Sequence, residues 1–377
     1  MIKIEVVHVW QFLVSQVFGK TIFYTAQFSG KPQLAVNSII TLSTMQPLPF
    51  VSVIIITWNS KKHLANCLDH LLNQIFVGFE VILVDNGSEE NILDELQEKY
   101  TSLDLHINKL SSNFGFAVAN NIGAHLTRGK WIALLNADAY PEPEWLERLL
   151  HAAEQNPEYS SFSSRQIQYN APHLLDGAGD AYHISGLAWR NSYKLPSKTY
   201  GLEQKEVFSP CAAAALYSRE EFLKVGGFDE DYFSYFEDVD LGFRLRLSGA
   251  KCLYVPEAVV HHVGSASTGK RSDFSVYYGY RNMIWTFVKN MPAPLFWIFL
   301  PLHISAILFF AGYLTLRGQG KVIWKAIFDA IRGLPKMIEK RKSIQKNKKI
   351  KSGELLKVMS TGLFEPLQEF IHRNKRK

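Results

Sequence analysis

The sequence predicts an α/β fold in which a mostly parallel β-sheet is flanked by helices and followed by a helical C-terminal region. First, short aliphatic runs alternate with amphipathic stretches from Val51 onward, as they do in chains of βαβ units. Second, these aliphatic runs contain almost no polar residue, as expected of strands that are covered on both faces. Third, a nearly uncharged run from Leu295 to Leu314 lies beyond the alternating part.

The composition is that of a folded protein. The chain has 377 residues, of which 47% are hydrophobic and 20% charged, so disorder is excluded for most of it. This length suits one large α/β domain with a substantial further region. The three cysteines, Cys67, Cys211 and Cys252, are widely spaced and odd in number, so the sequence indicates neither a disulfide framework nor a CxxC metal site. A reducing compartment is therefore expected.

The first 44 residues do not have the pattern of a clean signal peptide. Glu5, His8 and Gln11 interrupt the apolar stretch, and no small-residue cleavage site is clear. We treat residues 1–50 as an N-terminal extension. Because Met45 stands just before the first strong strand, we hypothesise that translation starts there. A peptide from residues 1–44 in the purified native protein would refute this hypothesis.

The strands and helices of the first half are predicted from periodicity. Strands are expected at Val51–Ile56, Val81–Val84 and Trp131–Leu135. A helix that begins after Ser60 is expected between the first two strands, because leucines recur there at helical spacing. These leucines are Leu64, Leu68, Leu71 and Leu72. A second helix is predicted through Ile92, Leu93 and Leu96.

The second half begins with a less regular stretch. Residues 160–200 are rich in glycine, serine and aromatic residues, which predicts loops and short antiparallel strands, where substrate-recognition residues often lie. Regular elements return after it, with a strand at 212–217, helices at 219–225 and 239–247, and a strand at 259–262.

Polar residues follow four of the predicted strands. They are Thr57 to Ser60, Asp85 to Ser88, Asn136 to Asp138, and the pair His261-His262. In an open parallel sheet the loops at the carboxyl edge converge on one crevice, so the four groups predict a ligand site. Each group also has a plain structural interpretation. Residues 85–87 suit a turn, and Asn136 or Asp138 could cap a helix that begins near Pro141.

The chemistry of these side chains suits a nucleotide. Asp85 can accept hydrogen bonds from a base or a ribose, and Thr57 and Asn59 offer short polar side chains to the same nucleoside. Asp138 offers a hard oxygen ligand to Mg²⁺ or Mn²⁺, which in turn would hold a diphosphate.

Three carboxylates, Glu237, Asp238 and Asp240, occur where a helix is predicted to begin. Acids are favoured in a first helical turn, so interaction with the helix dipole is one explanation. However, the aromatic run 233–236 precedes them and would partly desolvate them, which raises the basicity of a carboxylate. We favour the second explanation, a general base that takes a proton from a substrate hydroxyl.

The motifs together resemble family 2 of the glycosyltransferases, which have the GT-A fold, a Rossmann-like and mostly parallel sheet flanked by helices. More narrowly, the chain looks like the rhamnosyltransferase-like bacterial members. The resemblance covers roughly Val51 to Ser267 and, more loosely, the C-terminal part. The motifs are V-S-V-I-I-I-T-W-N at 51–59, V-D-N-G-S at 84–88, N-F-G-F-A-V-A-N-N-I-G at 113–123, L-N-A-D at 135–138, G-G-F-D at 226–229, E-D-V-D-L-G-F-R at 237–244 and H-H at 261–262.

The resemblance implies a metal-dependent, inverting transferase, with Mg²⁺ or Mn²⁺ as the cofactor. It implies that Asp238 is the catalytic base, that Glu237 positions the acceptor and that Asp138 is the metal-binding acid of a DxD-type motif. Asn136 departs from this motif, since a first Asp often stands there. His262 is the expected histidine ligand, with His261 as the alternative, because neighbouring strand residues point to opposite faces.

The remaining site residues are predicted on the same basis. The donor contacts are Thr57, Asn59, Asp85, Asn86, Asn113, Gly115 and Asn136. The acceptor contacts are Asp240, Arg244 and Trp189. The expected donor is a nucleotide diphosphate sugar, by preference dTDP-rhamnose and next a UDP-sugar. The expected acceptor is a glycan or a lipid-linked saccharide.

An NAD-dependent oxidoreductase is disfavoured because no GxGxxG follows the first strand. A non-catalytic membrane adaptor remains the alternative.

Three regions are therefore expected: 1–50, the GT-A domain at 51–270, and a hydrophobic and basic helical region at 271–377. The run Leu295–Leu314 could lie in the membrane interface or re-enter it, span the bilayer, or be a buried soluble helix; Pro301 and His303 inside it favour the first. The basic run from Lys340 to Lys351 suits an anionic membrane surface or a solvated helix. Nucleic acid is not expected as a partner, since no nucleic-acid motif accompanies the run. The expected location is the cytoplasmic face of a bacterial inner membrane.

Overall fold

The computed structural model describes residues 49–89, 93–264 and 272–375. The hypothesis about Met45 and nearly all of the predicted extension 1–50 lie outside these residues. The first half contains β1 (Val51–Thr57), α1 (Lys61–Leu72), β2 (Phe79–Asp85), α2 (Leu93–Lys99), β3 (Leu105–Lys109), α3 (Phe116–Leu126), β4 (Trp131–Leu135), β5 (Ala139–Pro141) and α4 (Trp145–Gln155).

The second half of the domain contains further strands and three helical segments. They are β6 (Ser161–Gln168), β7 (Leu175–Ala178), β8 (Asp180–Tyr182), β9 (Ala188–Arg190), β10 (Lys205–Val207), β11 (Ala214–Ser218), α5 (Arg219–Lys224), a 3₁₀ turn (Glu230–Tyr232), α6 (Glu237–Leu247) and β12 (Cys252–His262). The C-terminal helices are α7 (Asp273–Asn290), α8 (Ala293–Leu314), α9 (Gly320–Lys346), α10 (Ser352–Val358) and α11 (Glu365–Lys375), with a π-helical segment Thr315–Gln319 between α8 and α9.

The predicted α/β class is confirmed. The large sheet has the strand order β10-β12-β6-β11-β4-β1-β2-β3. Strands β3, β2, β1 and β4 are parallel to one another, as the apolar runs predict. Strand β11 is antiparallel to both β4 and β6, so the complete sheet is mixed. This topology brings the ends of β1, β2 and β4 to one edge.

The two faces of β1 are covered by different helices, which explains its continuous apolar run. Val53 and Ile55 belong to a buried cluster with Leu68 of α1 and Trp145 of α4. Ile54 belongs to a second cluster, with side chains from α3, α5 and α6 on the opposite face. Each face buries aliphatic side chains, so a strand without polar alternation is the stable choice.

Two local predictions differ from the structure. The helix expected near Pro141 begins at Trp145, because residues 139–141 form β5 and pair with β12. Asn136 and Asp138 therefore do not cap α4. Strand β12 is also longer than predicted: it begins at Cys252, and a register shift between Val255 and Val259 interrupts its pairing with β6.

The C-terminal helices pack against the domain that carries the sheet. Residues from 49 onward belong to one compact unit, and α7 lies between α6 and α9. The domain boundary predicted at residues 270 and 271 falls within 265–271, outside the described residues. All three cysteines are free and buried.

Helix α8 contains the predicted apolar run. Among the described residues, the continuous helical stretch Ala293–Lys346 is the one candidate for a membrane span by length and composition, and 17% of its most apolar window is buried. One side of α8 packs on the domain through His303, whose Nδ1 lies 2.7 Å from the carbonyl oxygen of Ser185 and whose ring stacks on Phe287. The low burial does not fit the alternative of a buried soluble helix.

Candidate active site

The adjacent ends of β1 and β2 place two buried polar side chains side by side. Thr57 and Asp85 are register partners, and both are almost fully buried. One oxygen of Asp85 accepts a hydrogen bond from the backbone N–H of Ser88 (3.1 Å). The other, and Oγ1 of Thr57, have no hydrogen-bond partner among the described residues. Buried polar groups are rarely left unpaired, so these two oxygens are suited to a polar ligand.

Asn59 connects the loops that follow these two strands. Its backbone N–H donates to Oγ of Ser88 (2.9 Å), and its side-chain oxygen accepts from the N–H of Glu89 (3.0 Å). Asn59 also has a positive φ of 49°, a conformation in which asparagine is tolerated better than most residues. Its observed contacts therefore shape the rim of the crevice.

Asn86, Asn113 and Gly115 form the neighbouring wall. The amide nitrogen of Asn86 donates to Oδ1 of Asn113 (3.0 Å), and its oxygen accepts from the N–H of Phe114 (3.0 Å). Gly115 has a φ of 87°, and a Cβ there would lie 2.6 Å from the carbonyl oxygen of Phe233. Glycine is therefore required for this wall to approach the segment before α6.

Asp138 and His262 come together although they are far apart in the sequence. Strand β12 pairs with β5, and this places Nε2 of His262 at 3.4 Å from Oδ1 of Asp138. The other ring nitrogen of His262 lies 2.8 Å from Oδ2 of Asp176. His261 instead lies 3.0 Å from Oε1 of Glu142, on the opposite face of the strand. Of the two predicted histidines, His262 is the one beside Asp138.

The two carboxylates determine the charge state of His262. Burial alone lowers the pKa of this imidazole, but Asp138 and Asp176 outweigh it and raise the pKa to about 9. Burial raises the pKa of Asp138, and the hydrogen bond and charge of His262 more than reverse this effect. The three side chains therefore form a charged, hydrogen-bonded set that could exchange the imidazole proton for a cation.

Asn136 lies on the turn between β4 and β5. Its backbone N–H donates to the carbonyl oxygen of Ala213 (2.9 Å), and its carbonyl oxygen accepts from the N–H of Ala139 (3.0 Å). The side chain is half-buried. These two hydrogen bonds fix the backbone of Asn136 at the start of the turn that carries Asp138.

Asp238 lies in the first turn of α6, as predicted. Its carboxylate accepts hydrogen bonds from the backbone N–H groups of Val239 (2.8 Å) and Ala212 (3.3 Å). Burial nevertheless raises the pKa of Asp238. The pKa of Glu237 is also raised, by burial and by the neighbouring charge of Asp238, and Oε2 of Glu237 has no hydrogen-bond partner among the described residues. A carboxylate with a raised pKa is a stronger base than an ordinary one.

The backbone before α6 is strained. Phe233, Tyr235 and Phe236 all have positive φ values, of 64°, 65° and 69°. This conformation is costly for aromatic residues, and such residues concentrate at functional sites. Phe236 is the N-cap residue of α6, so the strain lies directly before Glu237 and Asp238.

Sequence reasoning missed Asp176, Asp180 and Arg190, which lie between the two halves of the site. Arg190 forms an ion pair with Asp176, and its positive charge offsets part of the rise that burial causes in the pKa of Asp238. Donor atoms of Asp180, Cys211 and Asp238 lie within 4.8 Å of one another. The acid-glycine pattern D-G-A-G-D at 176–180 was the available signal. These side chains connect the pair Asp138–His262 with the first turn of α6.

Two residues predicted to contact the acceptor belong to a buried charge network. Asp240 is fully buried and contacts Nε of Arg244 (2.8 Å), Nζ of Lys289 (2.7 Å) and Nδ2 of Asn290 (2.7 Å). These are the contacts of a network that stabilises α6 against α7. We therefore leave Asp240 and Arg244 out of the proposed site.

Trp189 has a different position. It is half-buried on β9, where its indole lies 5.9 Å from the ring of His183. It lines a cavity together with Phe236, the residue before the two acids of α6. Trp189 thus lies near the segment that precedes Asp238.

Part of the basic C-terminal run also has internal partners. Lys340 forms ion pairs with Asp229 and Asp231, and Arg341 donates to the carbonyl oxygen of Val288. Lys342, Lys346 and Lys349 are exposed. The run is therefore divided between a structural part and a solvated part.

Comparisons with known proteins indicate the family to which the chain belongs. The family model for glycosyl transferase family 2 matches residues 52–226. The N-acetylglucosaminyl-diphospho-decaprenol L-rhamnosyltransferase of Mycobacterium tuberculosis is 30% identical over 244 residues, which cover 58% of this chain and 77% of that protein. The uncharacterized protein y4gI of Sinorhizobium fredii is 29% identical over 235 residues, which cover 60% of this chain and 26% of that protein.

Two solved structures show the same fold at low sequence identity. A structure of GalNAc-T7 with UDP, GalNAc and Mn²⁺ has a TM-score of 0.52 at 17% identity, covering 64% of this chain and 48% of that chain. A structure of S. aureus TarS 1–349 in complex with UDP-GlcNAc also has a TM-score of 0.52 at 17% identity, covering 79% and 88%. With the motif order and the mixed sheet, these matches establish that the chain is a glycosyltransferase of the GT-A fold that belongs to glycosyltransferase family 2.

Proposed function

We propose that this chain is an inverting, divalent-metal-dependent glycosyltransferase that moves a sugar from a nucleotide diphosphate donor to a glycan or lipid-linked acceptor in cell-surface polysaccharide biosynthesis. One observation carries the proposal. Asp138 and His262 form a pair suited to a cation, and Asp238 is a carboxylate whose pKa is raised by burial. Asp176 and Arg190 lie between these two halves.

The donor nucleoside is proposed to contact Thr57 and Asp85. Their unpaired buried oxygens would accept hydrogen bonds from the base or the ribose, and this pairing would remove the cost of leaving them unsatisfied. Asn59, Asn86 and Asn113 are proposed to shape the pocket through the loop contacts described above.

Rhamnose from dTDP-rhamnose is our preferred donor, because the relative with 77% of its length covered is named a rhamnosyltransferase. A UDP-sugar is the second choice.

Asp138 and His262 are proposed as the protein ligands of Mg²⁺ or Mn²⁺. The carboxylate offers a hard oxygen, and the imidazole offers Nε2 because Asp176 holds the other nitrogen. When bound there, the cation would stabilise the negative charge on the departing diphosphate. Asp180, Cys211 and Asp238 are a weaker set, since burial raises the pKa of Cys211 to about 12 and keeps it a thiol.

The chemical step is proposed to be a single displacement. Asp238 takes the proton from an acceptor hydroxyl, and the resulting oxygen attacks the anomeric carbon of the donor sugar from the side opposite to the diphosphate. The anomeric configuration is therefore inverted. Glu237, beside Asp238 and with one unpaired oxygen, is proposed to hold the acceptor.

A panel of donors tests the proposal directly. We would measure thermal stabilisation and donor hydrolysis with several nucleotide sugars, each with Mn²⁺, Mg²⁺ or EDTA. We expect one donor to stabilise the protein and to be hydrolysed only when a metal is present. No response to any donor would contradict the proposal, and binding without turnover on any acceptor would favour the membrane adaptor.

The contact between Asp176 and His262 gives a separate prediction. Replacing Asp176 by asparagine removes the carboxylate that orients the imidazole, so metal affinity should fall about 10–100-fold. The midpoint of an Mn²⁺ titration, followed by the thermal stability of the protein with saturating donor, measures this change. Glu142→Gln is the matched control, because Glu142 contacts His261 on the opposite face. An unchanged midpoint for Asp176→Asn would show that His262 is not oriented in this way.

We further propose that α8 and α9 attach the enzyme to the cytoplasmic face of the membrane. Helix α9 exposes Trp324, Phe328 and Ile331, at a spacing that places them on one face. Exposed basic side chains lie beside this face: Lys321, Lys325 and Arg332. An apolar face next to a basic flank is typical of helices that lie in the interface of an anionic membrane. A single span by α8 is the alternative.

This arrangement predicts the effect of polar substitutions on α9. The double variant Trp324→Ser and Phe328→Ser should bind vesicles with anionic lipids about thirtyfold more weakly, since each half-exposed aromatic ring contributes roughly 1 kcal/mol on insertion and the two together about 2 kcal/mol. Co-sedimentation with phosphatidylglycerol vesicles measures the difference. Ile75→Ser with Val77→Ser is the control, because these exposed apolar residues lie near α1. An equal loss of binding in both double variants would contradict the assignment to α9.

A further inference from the structure

An apolar cavity of about 270 Å³ lies beside the segment that carries Asp238. Its walls come from β9, the N-cap of α6, and helices α7, α8 and α11. Five aromatic side chains contribute to these walls: Trp189, Phe236, Tyr280, Phe310 and Phe370. Because Phe236 is two positions before Asp238, one wall of the cavity belongs to the strained turn of the proposed active site.

A second cavity, of about 430 Å³, continues from the first toward the end of α8. The two share Tyr280, Phe310 and Phe370 as common walls. The second cavity reaches Arg317, next to Leu316, whose side chain is 90% exposed. The neighbouring cavities therefore extend from the turn before α6 to the apolar surface at the end of α8.

We propose that these two cavities bind the apolar chain of a lipid-linked acceptor. The saccharide end reaches Asp238, and the chain follows the shared aromatic walls to the exposed surface near Leu316. This inference rests on the proposed function, since it concerns the acceptor of that same reaction. Its position explains how one molecule can be in contact with both the catalytic turn and the membrane.

The chemistry of the walls favours a hydrocarbon over a nucleotide or a free phosphate. Among the described residues that line the first cavity, Glu369 is the only charged one. The remaining walls are apolar or aromatic, so a chain loses water without leaving polar groups unpaired. Each methylene that is buried strengthens binding roughly fourfold, so a few isoprene carbons in the cavity have a large effect.

Gly279 provides a sharp test because it lines the first cavity from α7. A Cβ at this position would meet no atom within 4 Å, so a larger side chain enters open space. Leucine also has a higher helix propensity than glycine, so Gly279→Leu should fold. Gly279→Ala is one control, since it adds one methyl group to the cavity. Gly312→Leu is the other, because Gly312 on α8 also has open space and lines neither cavity.

Binding is measured first, with farnesyl diphosphate and methyl diphosphate as probes in isothermal titration calorimetry. We expect wild type to bind the farnesyl probe at least tenfold more tightly than the methyl probe. Gly279→Leu should remove this difference, and both controls should keep it. Equal binding of the two probes to wild type, or an unchanged preference in Gly279→Leu, would overturn the proposal.

Transfer is measured second, with N-acetylglucosaminyl diphosphate carrying either a farnesyl or a methyl group. Gly279→Leu should raise KM at least tenfold for the farnesyl acceptor and leave KM for the methyl acceptor unchanged. An equal rise for both acceptors would mean that the cavity holds the saccharide, which would also overturn the proposal. Failure of the proposed function is a distinct result, because wild type would then bind the farnesyl probe but transfer no sugar from any donor of the panel.

Discussion

Replacing Asp238 by asparagine should lower turnover by a hundredfold or more while donor affinity stays close to that of wild type. Asparagine has almost the same shape, and its oxygen can still accept a hydrogen bond from the N–H of Val239 or Ala212. It cannot accept a proton, and general base catalysis contributes about 10²–10⁴ in rate. The check is kcat at saturating donor and acceptor, with the donor Kd measured by calorimetry.

The pH dependence of the same pair of proteins sharpens this prediction. Asp238 acts as a base only when it is deprotonated, so activity falls as the pH drops through its pKa. Because burial raises this pKa, the acidic limb should lie above the position expected for an ordinary aspartate, which titrates near pH 3.9. The residual activity of Asp238→Asn should lack this limb. Near-normal turnover in the variant would exclude Asp238 as the base.

Glu237→Gln is the matched control for the role of Asp238. Glu237 is the adjacent acid in the same turn, and its pKa is also raised, but its proposed role is to hold the acceptor. We therefore expect a higher acceptor KM with a smaller loss of kcat than in Asp238→Asn. If Glu237→Gln instead causes the larger loss of kcat, the two roles must be exchanged.

Replacing Asp138 by alanine should abolish the metal-dependent response to the donor. The variant removes a carboxylate whose pKa is lowered by His262 despite its burial, and which is therefore an anionic ligand at neutral pH. Loss of a second carboxylate that only orients a ligand costs about 10–100-fold in affinity or activity, so loss of a direct ligand should cost more than a hundredfold. The measurements are thermal stabilisation by donor with Mn²⁺ and the rate of donor hydrolysis.

A second acid–histidine pair in the chain supplies the control. Asp104 lies 2.9 Å from His106, and these two residues form with Glu80 another group that could bind a cation. Asp104→Ala removes an equivalent acid from this group, and its response to donor and metal should match that of wild type. A loss in Asp104→Ala together with a normal response in Asp138→Ala would move the metal site to the edge of the sheet near β3.

The parts of the fold that follow local patterns could be predicted from the sequence. Strand β4 matches its prediction residue for residue, because its five residues are all buried. The prediction of a helix that begins near Pro141 was wrong, because residues 139–141 pair with β12 and belong to the sheet. That pairing is a long-range contact, and no local pattern around Pro141 indicates it.

The site shows the same division. Thr57, Asp85, Asp138 and Asp238 follow strands or begin a helix, so their positions can be read from the order of motifs. The contact of Asp176 with His262 joins residues that are 86 positions apart. Asp176 lies on β7 and Arg190 on β9. These short strands have no strong apolar pattern, which is why the two residues were missed.

The buried ion pairs behind α6 also bear on how this enzyme can be divided. Lys289 of α7 contacts both Asp240 and Asp229, and Lys340 of α9 contacts Asp229 as well. Removing one partner of a buried pair leaves an uncompensated charge, which costs about 3–5 kcal/mol. A fragment that ended near residue 270 would lack both lysines. Asp229 and Asp240 would then lose these ion pairs close to the turn that carries Asp238. Helices α7 and α9 therefore contribute to the stability of the domain that carries the sheet. A fusion protein that includes this domain should also include these helices.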